Sequence, residues 1–239
     1  MAQKIKIGVM WCTQFKRHTL NPFRKLDLPE AYRPASLFAS RMRDDGHRVE
    51  FLFCDELLRV SDFDGNKRTL ADTVELLYLV SHGELDQSTS SFEALLKRVN
   101  WQPGGNKGIG HSSLVVAVFD TCHLIDSRKG KNSQAVWGSA RLGPKLRLLL
   151  GFDGIGPMNY DLAQRGFAFA DNLIAGKTFA SAWLQAVNST QPPDSAKPVA
   201  LGIGDSAQVA KSVLDTASLV QMPGTWTGAT PYFSERFLP

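Results

Sequence analysis

Two short apolar runs constrain this chain more than any other feature. The first, Leu76-Leu77-Tyr78-Leu79-Val80, leads into Ser81-His82-Gly83. The second, Leu114-Val115-Val116-Ala117-Val118-Phe119, leads into Asp120-Thr121-Cys122-His123. Both are continuous and rich in β-branched or aromatic side chains, the pattern of strands covered on both faces in a parallel sheet. Open α/β sheets bind their ligands beyond the carboxyl ends of the strands. A histidine and a cysteine that each follow such an end are therefore expected to face one crevice.

A thiol nucleophile with a histidine partner is the chemistry this implies. The thiolate attacks, but an ordinary cysteine is mostly protonated at neutral pH. An imidazole beside it can accept that proton and later deliver one to a leaving amine. Gly83 permits a tight turn after His82. The backbone N–H groups of Gly83 and Cys122 are then candidate donors to the oxygen of a reacting carbonyl. A buried structural cysteine is the plainer alternative, since cysteine commonly fills core space.

A strand ending in Ser81-His82-Gly83, followed by one ending in Asp120-Thr121-Cys122-His123, resembles the caspase–metacaspase–gingipain–legumain group of cysteine peptidases. His82-Gly83 matches the family's catalytic His-Gly, and Cys122 falls on its nucleophile. The order and the forty-residue separation also fit. The resemblance implies an α/β fold, a three-layer α/β/α sandwich with a mainly parallel sheet of about six strands. It implies a cysteine endopeptidase acting on a protein or peptide substrate without a cofactor or metal. It further implies that Asp120 lines the pocket for a basic or polar P1 side chain, with Ser81 beside it. Leu124-Ile125 replaces the Ser-Gly that follows Cys-His in metacaspases, which departs from that subtype. Leu150-Gly151-Phe152, Gly166, Phe169-Ala170, Gly176, Thr178 and Ala182-Trp183 are similar to uncharacterised bacterial caspase-like domains.

At 239 residues, with 43% hydrophobic and 21% charged residues, one caspase-like domain spanning 1–239 is expected. The net charge of +4 is mild and, apart from Arg128-Lys129-Gly130-Lys131, not concentrated, which disfavours nucleic acid as a partner. Three cysteines without a CxxC pair point to a reducing compartment, and no signal-peptide form or long apolar run is evident. The expected location is the cytoplasm, with no membrane contact; the oligomeric state is left open.

Ile5–Trp11 reads as the first strand, closed by Cys12, a rival nucleophile without a His-Gly context. Residues 13–34 form a long polar connection, read as a solvated loop, after which 35–45 reads as a helix and 47–53 as a strand. Residues 61–66 space oxygen ligands but lack the full calcium-loop pattern. Residues 84–91 suit a polar loop at the crevice rim, and Phe92, Leu95, Leu96 and Val99 suggest an amphipathic helix. The glycine-rich stretch 104–110 precedes a strand rather than opening a helix, so a phosphate site fails its context test. Beyond Cys122, Lys129 and Lys131 are candidate processing sites, and Trp137 is either a pocket wall or core.

Residues 145–152 read as a further strand, with Asp153 at its carboxyl end as a candidate for substrate contact or for orienting a histidine. Two helices follow, over 161–175 and, capped by Thr178, to Val187. A Pro-rich turn at 191–197 leads into a last strand over 198–204 and a helix capped by Asp205. Residues 222–239 read as an arm packed on the domain.

The His/Cys pair leaves three functions open. The first is a peptidase. The second is an acyl-transfer or cyclising enzyme using the same dyad. The third is a non-catalytic module that keeps the fold.

Overall fold

The computed structural model describes residues 4–14, 27–63, 69–85, 92–95, 100–101, 108–125, 137, 142–156, 163–190, 197–228 and 230–237. Several expectations fall outside these: most of the polar connection before residue 27, the end of the 61–66 turn, the rim loop after Leu85, Lys129 with Lys131, and the Pro-rich turn before Lys197.

The chain is α/β. Its main sheet has seven strands: β1 (Lys6–Trp11), β2 (Arg48–Cys54), β3 (Leu76–Val80), β7 (Val116–Asp120), β8 (Leu148–Asp153), β9 (Lys197–Gly204) and β10 (Tyr232–Phe237). A smaller antiparallel sheet holds β4 (His82–Leu85), β5 (Phe92–Leu95) and β6 (Asn100–Trp101). The order in the main sheet is β10-β9-β8-β7-β3-β1-β2. Strands β2, β1, β3, β7 and β8 run parallel, β9 opposes β8, and β10 opposes β9.

The central strands are buried along their whole length, as the apolar runs predict. Alternate side chains divide between two cores. Tyr78, Val80, Val116, Val118, Leu148 and Leu150 meet four helices: α1 (Tyr32–Asp44), α2 (Ala163–Ile174), α3 (Phe179–Ser189) and α4 (Ala207–Thr216). Leu77, Leu79, Ala117, Phe119 and Leu149 point the other way. There the cover consists, among the described residues, of 3-10 turns around Leu58, Phe63 and Ala71 and of connections carrying Ile109, Leu146 and Trp226. The sheet is thus sandwiched as expected, with one strand more than the expected six.

Two of the helices begin at a side-chain N-cap. Thr178 Oγ1 accepts a hydrogen bond from the Ser181 N–H at 3.2 Å, the expected N-cap of α3. Ser206, rather than Asp205, caps α4, accepting from the Val209 N–H at 3.2 Å. Asp205 instead accepts the Thr227 N–H at 2.8 Å, fastening the C-terminal arm, whose end forms the edge strand β10. That strand alternates exposed and inward positions, as an edge strand covered on one side should.

One expected element is wrong in kind. Residues 92–95 form strand β5, not the start of a helix, and pair with His82–Leu85. The apolar spacing there is too short to separate a helix from a hairpin, and tertiary pairing decides. Trp137 belongs to the core: it is fully buried, its ring centroid lies 6.0 Å from that of Phe119, and its indole N–H donates to the Leu124 carbonyl at 3.0 Å. Among the described residues no helix is long and apolar enough to cross a membrane.

Candidate active site

The site follows from strand register. β3 and β7 are parallel neighbours, and their last residues, Val80 and Asp120, face each other. His82 and Cys122 therefore each lie two residues past matched ends. The Ser81 N–H donates to the Asp120 carbonyl at 3.4 Å, so the strands are still in touch one residue further on.

Gly83 closes the gap. A Cβ built on it would lie 1.9 Å from the Cys122 carbonyl oxygen and 3.0 Å from the Cys122 nitrogen. Only a residue without a side chain fits there, and it brings the chain that carries His82 against the main chain of Cys122. The Gly83 N–H hydrogen-bonds the Cys122 sulfur.

On the other flank the sulfur meets the loop after β8. The Gly156 N–H donates to Cys122 Sγ at 3.3 Å, and the thiol lies 3.4 Å from the Gly156 carbonyl oxygen, an acceptor for its proton. This loop is tied to the residues after Cys122. The His123 N–H donates to the Gly154 carbonyl at 2.5 Å, and the Gly154 N–H donates to the Ile125 carbonyl at 2.9 Å. His123 takes a left-handed backbone conformation (φ 60°) to make that turn. The half-buried sulfur thus lies between two backbone N–H donors from two different strand ends.

Burial pushes the Cys122 thiol above its ordinary range, and the negative charge of Asp120 adds to this. The Gly156 and Gly83 N–H groups and the Arg165 charge pull the other way without overcoming it. At neutral pH the resting sulfur is a thiol, and a base must take its proton before it can attack.

Asp120 does not do what the sequence predicts. It is fully buried on the helix side of the sheet. One carboxylate oxygen accepts from the Tyr78 hydroxyl at 2.7 Å and from Arg165 Nε at 2.9 Å; the other accepts from Arg165 Nη2 at 2.5 Å. Arg165, also fully buried on α2, stacks over the Phe152 ring at 5.0 Å. A carboxylate held in a two-toothed pair with a buried guanidinium is not open to a substrate cation. The group is a clamp that fastens β3, β7 and α2 beneath Cys122. Burial and the adjacent Asp120 charge hold the Tyr78 hydroxyl far above its usual range, so it stays protonated and donates.

The other sequence candidates divide in two. Gly83, and with it the main chain of His82, lies against the main chain of Cys122 past matched strand ends. Ser81 is buried behind that edge, and Asp153 is only 7% exposed at the end of β8, where it bridges to Ile125, so neither presents itself as a substrate contact. Cys12, the rival nucleophile, is fully buried, and its thiol donates to the Gln14 carbonyl at 3.2 Å. Beside it Asp55 gathers the Thr13 and Gln14 N–H groups and the Thr13 hydroxyl at 2.7–3.0 Å, tying the ends of β1 and β2. Burial pushes the Asp55 carboxyl up, but these hydrogen bonds outweigh it and hold it below the usual range.

Gly156 and Arg165 were not singled out from the sequence. Gly156 carries no local signal. Arg165 does: with Phe169 and Leu173 it stands at four-residue spacing on one helix face, and a lone cation on an apolar stripe needs a buried anion.

Among the described residues no group of three or more His, Cys, Asp or Glu is arranged to hold a metal ion. No curated protein matches the chain. Residues 12–213 match the family described as "Domain of unknown function (DUF6345)", a span that takes in the whole cleft, and the chain belongs to that family.

Proposed function

We propose that the chain is a cysteine peptidase of the caspase–metacaspase–gingipain–legumain type, with Cys122 as nucleophile and His82 as its base. One observation carries the reading. The glycine after His82 lies against the main chain of Cys122 and donates its N–H to the sulfur. Two strand ends thereby converge on one reactive atom.

His82 takes the thiol proton, and the sulfur attacks a peptide carbonyl carbon. Negative charge moves to the carbonyl oxygen, within reach of the Gly83 and Cys122 N–H groups. Once the sulfur has bonded to carbon, the Gly83 N–H is released from it and turns to the oxygen. The C–N bond then breaks, and His82 returns its proton to the leaving amine. Water, activated by the same imidazole, hydrolyses the thioester and frees the thiol. A preorganised oxyanion donor is worth about 10²–10³ in rate, and a positioned base about 10²–10⁴.

The substrate is a protein or peptide. Selection of a basic P1 residue does not follow, since its carrier, Asp120, is committed to Arg165. The three cysteines are free of disulfides, which supports a reducing compartment, the cytoplasm.

The test is a covalent electrophilic probe, with the adduct mapped by mass spectrometry in wild type and in His82→Ala. The expected result is an adduct on Cys122 alone, formed at least 100-fold more slowly in the variant. Adducts spread over Cys12, Cys54 and Cys122, or indifferent to His82, would sink the reading.

A further inference from the structure

Ile155 is the part of the cleft that the chemistry above leaves unused. It is 60% exposed, although aliphatic. Single exposed apolar residues are ordinary on protein surfaces; the position of this one is not. It lies between two glycines that are both tied to the Cys122 segment. Gly154 is bonded to His123 and Ile125, and Gly156 to the sulfur itself. Gly154 takes a left-handed conformation (φ 79°), which turns the chain back toward the cysteine. The backbone on both sides of Ile155 is therefore fixed, while its side chain is left in solvent within one residue of the nucleophile's partner.

Among the described residues, two carboxylates at these strand ends are withdrawn. Asp120 is buried against Arg165, and Asp153 is 7% exposed. A preorganised aliphatic side chain beside a nucleophile gains by covering an apolar group of the substrate, since that removes both from water.

We propose that Ile155 is a specificity-determining residue, forming one wall of the subsite for the residue that carries the reacting carbonyl, and that this residue is apolar and leucine-like rather than basic. The proposal rests on the thiol-peptidase reading of Cys122.

The test uses the full chain and peptidyl chloromethyl ketones ending in Leu, Lys or Asp, with iodoacetamide as a reagent that occupies no subsite. The Leu reagent is expected to alkylate Cys122 fastest. In Ile155→Ser the ratio of its rate to that of iodoacetamide should fall about tenfold, the scale of a lost apolar contact in a pocket. Ile155→Asp should turn the preference toward the Lys reagent. His82-dependent labelling that favours Lys or Asp in wild type, or a Leu ratio unchanged in Ile155→Ser, overturns this proposal and leaves the peptidase reading standing. Labelling that ignores His82 with all four reagents overturns both.

Discussion

The two ends of the β3–β7 pair each bury a carboxylate, and they use it differently. At the amino end Asp72 accepts backbone N–H groups, from Gly110 at 2.7 Å and His111 at 3.3 Å. At the carboxyl end Asp120 faces a full cation and a hydroxyl from other elements. Burial raises the Asp72 carboxyl because amides only partly replace its hydration. Asp72 organises a local loop, whereas Asp120 docks a helix under two strands. Rigidity imported from a distant element is placed directly below the cleft, and local hydrogen bonding suffices where no chemistry is expected.

Three sets of variants can break this contrast, and a fourth measurement concerns a buried group outside it. The largest effect is expected at the carboxyl end. Cys122→Ala should abolish covalent labelling and turnover while leaving the melting temperature near that of wild type; residual turnover would deny the cysteine its role. Next, Arg165→Met strands a buried carboxylate and should cost about 3–5 kcal/mol in urea unfolding. Combining it with Asp120→Leu should recover part of that loss, because the apolar pair needs no partner and only the Tyr78 hydroxyl is left without its acceptor. A double variant as unstable as the single one would mean that the ion pair is not the cause.

A smaller effect is expected at the amino end. Asp72→Ala leaves the Gly110 and His111 N–H groups without their acceptor and should cost about 1–3 kcal/mol, with Cys122 labelling preserved. Loss of labelling at unchanged stability would erase the distinction between the two ends.

The smallest concerns His47, buried at the start of β2, whose Nδ1 accepts the Ile5 N–H at 3.2 Å. Burial and the Lys4 charge lower its pKa against the opposing pull of Asp45. A lowered folded value means that the unfolded chain binds the proton more readily. Its contribution is therefore complete above the ordinary histidine value near 6.5 and is lost as pH falls below that through the folded value. Chemical denaturation between pH 7.5 and 5 should show this decline, and His47→Gln, which keeps an acceptor but does not titrate, should flatten it.

Much of this molecule can be read in its residues, and the remainder fails for identifiable reasons. Leu76–Val80 and Val116–Asp120 are evident as strands because burial on both faces leaves a continuous apolar run. Their adjacency in the sheet, which brings His82 to Cys122, is a tertiary fact that no local pattern encodes. The resemblance assigns Asp120 to the substrate, and its actual partner, 45 residues away on a helix, leaves no mark beside it in the sequence. The Phe92 segment misled because apolar residues at 92, 95, 96 and 99 fit a helical spacing, while pairing with His82–Leu85 makes Phe92–Leu95 a strand. Gly156 has no signature, since its contribution is made by main-chain atoms alone.

The unbroken burial of β3, β7 and β8 up to their last residues has a consequence for motion. Amide hydrogens along these strands should exchange with solvent deuterium only on global opening, while those past the strand ends should exchange through smaller local excursions. The cleft would then sit on a sharp step in protection. The platform beneath Cys122 would keep its alignment through those excursions.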